Sequence, residues 1–484
     1  MEKPKMSKES IKSSFKTKTF KAGGYSIIAA VAVIAIAVII NLIVGKLPSN
    51  FTKLDVTSNK LFDFSEQTQT LVKGLDEKID IYWISQSGYE DANLGTLLEK
   101  YQDMNKNVTV TKKDPAIYPN FATQYTNEDI YNNSLIVVCG DRSKYVNFYE
   151  IYVYDYTNYY VDGSYTTSFN GESALTSAID YVTNDNFPVA YTLTGHGESN
   201  MDAEILKSID LQNIATQDLN LISSGNIPED ASCLIIVSPK KDITAEEKDA
   251  ISEYLKNGGD MILLTDYTED DMPNLMEIME YYGVTPVNGI IVEGDANYCL
   301  KNYSYYLLPD LDLHEITAPL KEKNYFVLLP VTHGIEISDR TRDTETVTPL
   351  LTTSDKSFSK IAGYAMSTYE KEEGDIDGPF SVAVAISETV GDGATNIVWF
   401  GTSNLLQSKI NETVAGGNHD MILNSIAWAC DRQGSISIHS KSLETEYLTI
   451  NSFDSAVISL VLVGVIPLAF IGICIYVVVR RKRK

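Results

Sequence analysis

Two uncharged apolar runs, one near each end, constrain this chain more than any other feature. Residues Tyr25–Val44, YSIIAAVAVIAIAVIINLIV, form twenty residues without a charge. At about 1.5 Å rise per residue, a helix of that length spans roughly 30 Å, the hydrocarbon thickness of a bilayer. A cleaved export signal has a shorter apolar region followed by a small-residue cleavage site. Here the run is long and leads into GKLPSNF, which is the pattern of a retained anchor. The second run, Ala456–Val479, is also uncharged, and Pro467 near its middle predicts a kink. Residues 1–24 carry seven lysines against two glutamates, and RRKRK follows the second run. Basic flanks resist crossing, so both termini are expected in the cytoplasm and everything between them outside. The expected protein is a two-pass cell-membrane protein with a large extracytoplasmic region.

The charge balance narrows the partners. The chain has 39 basic and 65 acidic residues. Setting aside the tails, with twelve basic and two acidic residues, leaves 27 against 63, a balance of −36. Such a surface repels nucleic acid, which is bound through clustered Lys and Arg. No D-x-D-x-D-G calcium loop is present, so the acids read as a solvated surface. Five cysteines are widely spaced with no C-x-x-C. This is not a disulfide scaffold, although spacing leaves open whether any two pair.

The exterior is long enough for two cores. From Lys46 to Thr183 the pattern is strand KIDIYWIS, helix NLGTLLEKYQDM, strand VTVTKKDP, a hairpin turning at GDRS, and helix GESALTSAIDYV. Leu94, Leu97, Leu98 and Tyr101 mark one face of the first of these helices. Ser65 is a candidate N-cap for an earlier short helix. The order is that of a thioredoxin-like domain, but SQSG stands where a redox pair of cysteines would be, which argues against redox chemistry. A boundary is expected near TNDNFP, residues 183–188. From 184 to 440, strands VAYTLTG, CLIIVSPK and DMILLTD alternate with helices MDAEILKSID and AEEKDAISEYLKN. Thr244 and Glu247 form a T-x-x-E capping box opening the second of these. Alternation implies right-handed crossovers and a mostly parallel sheet, in a flavodoxin-like or class I glutamine-amidotransferase-like layout. Residues 296–378 are less regular and are expected to be an insertion. The expected fold is therefore α/β in two exterior domains, 46–183 and 184–440. They are flanked by helices 25–45 and 456–479, a linker 441–455, and basic tails 1–24 and 480–484.

Ligands of open α/β sheets bind at the carboxyl ends of the strands. Two polar clusters fall there. One is the turn Gly195–His196–Gly197–Glu198, and the other is Asp266 with YTEDD behind it. His196 beside Glu198 has the chemistry of an acid/base pair or a metal ligand. The competing reading, which the sequence favours, is a glycine-shaped turn with His196 hydrogen-bonded locally. These five residues are the candidate ligand or partner surface. No catalytic residue, metal site or cofactor is expected. There is no G-x-S-x-G elbow and no H-E-x-x-H, and Cys233 opens an apolar strand rather than a nucleophile turn. His196, His314, His333 and His419 are scattered, a weak basis for a metal site. No G-x-x-x-x-G-K-[ST] is present, so ATP chemistry would have to come from a partner.

LDVTSNKLFDFSEQTQTLVKGL, FNGESALTSAIDYVT, YTLTGHGES, KDITAEEKDAISEYLKNGGDMILLTD, HEITAPL, TPLLTTSDKSFS and IVWFGTSNLL occur in this order. Together they resemble the GldG family, auxiliary components of ABC-type transport systems. The resemblance runs from about Lys46 to Ser440. It implies a membrane-anchored subunit working beside an ABC ATPase and a multi-span permease, with no catalytic residues to carry over. The family's TGHGE turn falls on Thr194–Glu198. Its GDSDF pattern falls on Gly401–Leu405, here GTSNL, where the acidic positions are lost. A divergent cell-envelope hydrolase or carbohydrate-binding protein is the alternative, resting on the His196–Glu198 turn and the amidotransferase-like layout.

Overall fold

The computed structural model describes residues 31–36, 38–39, 60–155, 165–184, 187–338, 342–391, 393–430, 438 and 440–443, with single positions between 467 and 480. Most of both apolar runs, and the tails, lie outside the described residues. Residues 31–36 and 38–39 of the first run are helical with exposed side chains. Among the described residues no helix is long and apolar enough to cross a membrane.

The amino-terminal unit begins with helix α1 (Glu66–Lys73), capped by the Ser65 hydroxyl, which accepts from the Thr68 amide. Strand β1 (Ile79–Ile84), helix α2 (Ala92–Met104), strand β2 (Val108–Lys113), strands β3 (Ser134–Cys139) and β4 (Arg142–Val146), and helix α3 (Gly171–Thr183) follow. The sheet order is β2-β1-β3-β4. β1 and β2 are parallel, and β3 runs antiparallel to β1 and to β4. Leu94, Leu97, Leu98 and Tyr101 of α2 are all buried, as the i, i+3, i+4, i+7 spacing requires. The Asp91 carboxylate caps α2 by accepting from the Leu94 amide at 2.7 Å.

Helix α3 is buried on nearly every side, including Ser173, Ser177 and Asp180. Leu175, Ala178, Ile179 and Val182 pack into the amino-terminal core. The opposite face meets the larger unit, where the Asn213 amide donates to the Ser177 carbonyl at 3.0 Å and to Asp180 at 2.7 Å. A helix between two units cannot present a polar face to water, so its second face is small and hydrogen-bonded.

The larger unit holds a ten-stranded sheet. Its elements are β5 (Val189–Leu193), α4 (Ala203–Asp210), β6 (Ala215–Leu219), β7 (Ala231–Val237), α5 (Ala245–Lys256), β8 (Met261–Leu264) and α6 (Pro273–Tyr281). They continue with β9 (Val284–Pro286), β10 (Ile335–Ile337), β11 (Glu345–Thr352), β12 (Ser381–Val390), β13 (Gly393–Phe400) and α7 (Gly417–Ala429), and the tenth strand, the short Asp310–Leu311, pairs with β11. β6-β5-β7-β8-β13 are mutually parallel. Alternate residues of β7 face opposite layers. Cys233, Ile235 and Val237 pack with α4 and α7, while Leu234 and Ile236 pack with α5 and α6. Both faces are covered at the centre of the sheet, which is why β7 and β8 are apolar runs, whereas the edge strand β6 is mostly exposed.

The expectation of a mostly parallel sheet needs correction at β13. Its partner β12 is antiparallel, with Val390 opposite Gly393, because so tight a connection can join only antiparallel strands. Residues 296–378 are likewise not merely an irregular insertion. β10 and β11 from that stretch both pair with β12. The register of β11 shifts around Pro349 and Leu351, a bulge that hides its alternation in sequence. The described cysteines, Cys139, Cys233, Cys299 and Cys430, are free thiols.

Candidate functional site at the carboxyl edge of the sheet

Each element of the site is set by a strand end. β5 stops at Leu193, and the chain turns through Gly195 and Gly197 at φ of 127° and 78°. A side chain would be strained at both positions, and it would also crowd Asn220 at the first and Lys240 at the second. The turn folds His196 inward, leaving it 4% exposed. Its Nδ1 lies 2.9 Å from Glu198 Oε1, and its Nε2 lies 2.9 Å from Glu247 Oε2. Glu198 also accepts from the His196 amide at 2.7 Å. The arrangement is a buried carboxylate–imidazole–carboxylate chain.

Glu247 has a second duty. Its Oε2 accepts from the Thr244 amide at 2.9 Å while the Thr244 hydroxyl accepts from the Glu247 amide at 3.2 Å, the reciprocal capping box of α5. The His196 carbonyl in turn accepts from the Lys240 and Lys241 amides at 2.9 and 3.1 Å. The turn after β5 is thus bolted to the start of α5 and to the loop after β7.

Asp266, just beyond β8, gathers the neighbouring strand ends. It accepts from the Ser238 hydroxyl, from the Lys240 ammonium at 3.0 Å, and from the Ser403 amide and hydroxyl at 2.7 and 2.9 Å. Burial opposes ionisation of Asp266, but these donors outweigh it and hold the carboxyl below the ordinary value. Ser238 itself sits at φ 48°, in the left-handed region. A non-glycine residue there costs of order 1–3 kcal/mol, a strain the Asp266 network helps to hold.

The other described histidines, His314, His333 and His419, do not join this site. The His333 ring is buried, with Nδ1 2.8 Å from the Gly334 carbonyl and Nε2 2.8 Å from the Thr265 hydroxyl. His314 packs edge-on to Trp428, and His419 Nε2 lies 3.4 Å from the Leu406 carbonyl. Among the described residues no group of three or more His, Cys, Asp or Glu could hold a metal ion.

Residues 188–429, half of the chain and the whole of this sheet, match the family of ABC-type uncharacterized transport system auxiliary components. The chain belongs to this family. An auxiliary role in ABC-type transport follows from that membership. Residues 58–154 match a domain of unknown function, DUF7088. No curated protein matches the chain. Among solved structures, the mmIFT52 N-terminal domain is 15% identical, covering 52% of this chain and 99% of that one, with a TM-score of 0.37. PurLQS from Thermotoga maritima is 8% identical over 50% of this chain and 99% of that one, with a TM-score of 0.24.

In this auxiliary component all five expected residues, Gly195, His196, Gly197, Glu198 and Asp266, lie at one edge of the sheet. The loop after β7 joins them, since Lys240 touches both groups. Sequence reasoning missed Ser238, Lys240 and Ser403, and read Glu247 only as a helix cap. The cap motif is the one signal that could have placed Glu247. Its partner His196 lies 51 residues away and is joined to it by the crossover alone.

Proposed function

We propose that this chain is a GldG-type, membrane-anchored auxiliary subunit of an ABC-type transport system, working beside an ABC ATPase and a multi-span permease. Family membership supports the transport role. The two uncharged runs and their basic flanks support a two-pass anchor with cytoplasmic termini and an extracytoplasmic main region. The strand order β2-β1-β3-β4 with an antiparallel β3 favours a thioredoxin-like amino-terminal domain, and the covered parallel strands favour an amidotransferase-like second domain. Cysteines placed singly at the exposed Ser224 and Ser440 should react with an impermeant maleimide in intact cells, and one at Ser10 only after lysis. Protection of the first two in intact cells would place the domain in the cytoplasm.

The subunit acts by contact rather than by catalysis. One observation carries this reading: both ring nitrogens of His196 are committed to buried carboxylates, leaving neither to exchange protons with a substrate. Nothing in the geometry favours the envelope-hydrolase or carbohydrate-binding alternative over it. Envelope hydrolysis by the purified protein that is abolished in His196→Ala with the fold intact would overturn the contact reading.

A further inference from the structure

Both ends of the described exterior meet at one corner. The Lys441 ammonium donates to the carbonyls of Leu61 and Asp63 at 3.4 and 2.7 Å, and to Glu172 in the first turn of α3 at 3.1 Å. Ser440 lines a cavity of about 160 Å³ together with Asn411, Gly416 and His419. Asn411 and Gly416 belong to the connection that leaves the carboxyl end of β13. That same connection places Ser403 on Asp266 and Ser408 on Asp202. The chain's exit therefore lies beside the carboxyl edge of the sheet.

The direction of α3 agrees. Asn170 and Ser173, at its start, line the cavity with Glu204 and Lys207 of α4. Ser177 and Asp180, further along, hold Asn213, beyond the end of α4. α3 and α4 thus run the same way. α4 starts at the carboxyl edge, where β5 ends, so the exit corner at the start of α3 lies toward that edge.

Twelve residues, 444–455, separate Leu443 from the second apolar run. At no more than ~3.3–3.6 Å each, they keep the exit corner within about 45 Å of its start. We infer that the carboxyl-edge surface bearing Gly197, Lys240 and Asp266 faces the bilayer and docks the exterior loops of a membrane-spanning partner subunit. The inference rests on the two-span reading above. The surface exposes Glu269, Asp270 and Asp271, which repel anionic headgroups and fit a protein loop carrying Lys or Arg.

The test uses the full chain in liposomes whose headgroups carry an energy-transfer acceptor. A donor is placed on Ser224→Cys, at the carboxyl edge, or on Glu229→Cys, at the opposite edge before β7; both positions are exposed. Transfer should be more efficient from position 224. Equal transfer, or more from 229, would overturn the orientation, and a chain that does not float with the liposomes would sink the two-span reading and this inference with it. A photocrosslinker at the exposed Ile222, used in native membranes, identifies the occupant. Adducts with a multi-span protein support the assignment, whereas adducts only with lipid or only with a soluble protein refute it.

Discussion

Lys441 and Glu172 stand 3.1 Å apart across 269 residues of sequence, and their pairing closes the amino-terminal unit. Glu172 is the node, because its other oxygen accepts from the Ser65 amide at 2.7 Å and the Thr68 hydroxyl at 2.9 Å. One buried carboxylate therefore ties the start of α1, the first turn of α3 and the short returning strand Lys441–Ser442, which pairs with Ser168 and Phe169.

Glu172→Ala should destabilise the protein by about 2–4 kcal/mol in urea unfolding, because it strands a backbone donor and an ammonium at once. Lys441→Met, at a more exposed position, should cost less. A Glu172→Ala loss below about 0.5 kcal/mol would mean that the node does not hold the unit together.

The bolt between His196 and Glu247 predicts strong coupling. A double-mutant cycle using His196→Ala and Glu247→Ala should give an interaction energy of about 1–3 kcal/mol. Thr244→Ala, which removes only the hydroxyl half of the capping box, should cost about 1 kcal/mol. Additive losses at positions 196 and 247 would contradict the shared carboxylate.

His333 predicts a pH dependence on the acid side of neutrality. Burial holds its imidazolium below the ordinary value of 6.5. Nε2 is the acceptor for Thr265, whose oxygen in turn accepts from the Trp399 indole at 2.7 Å. The unfolded ring takes up a proton below pH 6.5 that the folded ring refuses, so stability should fall as the pH drops from 6.5 and be flat above it. His333→Gln should make that slope shallower in unfolding measured between pH 5 and 8, leaving the part due to His314, which burial also holds below the ordinary value.

Asp266 acts lower on the pH scale. Its carboxyl is held below 3.8 in the folded state, so its contribution is complete above that value and lost as the pH falls through the folded one. Asp266→Asn should lower stability at neutral pH and narrow the gap to the native chain in strong acid. An unchanged gap from pH 7 down to pH 2 would contradict the role assigned to the four donors.

Much of this was legible in the residues. The spacing of Leu94, Leu97, Leu98 and Tyr101, the Ser65 cap and the Thr244–Glu247 box each depend on contacts within a turn or two, which local sequence encodes. The glycines flanking His196 announced a special backbone for the same reason. The antiparallel half of the sheet was hidden because β11 carries Pro349 and a bulge, so its alternation breaks. Ser238, Lys240 and Ser403 escaped notice because single hydroxyls and an amine carry no pattern. They converge on Asp266 only when the ends of β7, β8 and β13 are brought side by side.

We propose that contacts made at the membrane tie this chain to its ABC-type transport system. Affinity purification of the tagged full-length protein from its native membranes, followed by mass spectrometry, tests it most directly. The expected result is recovery of an ABC ATPase and a multi-span permease, reduced when Glu269, Asp270 and Asp271 are all changed to Lys. Repeated recovery of the chain alone, under conditions that keep other ABC assemblies intact, would contradict the account.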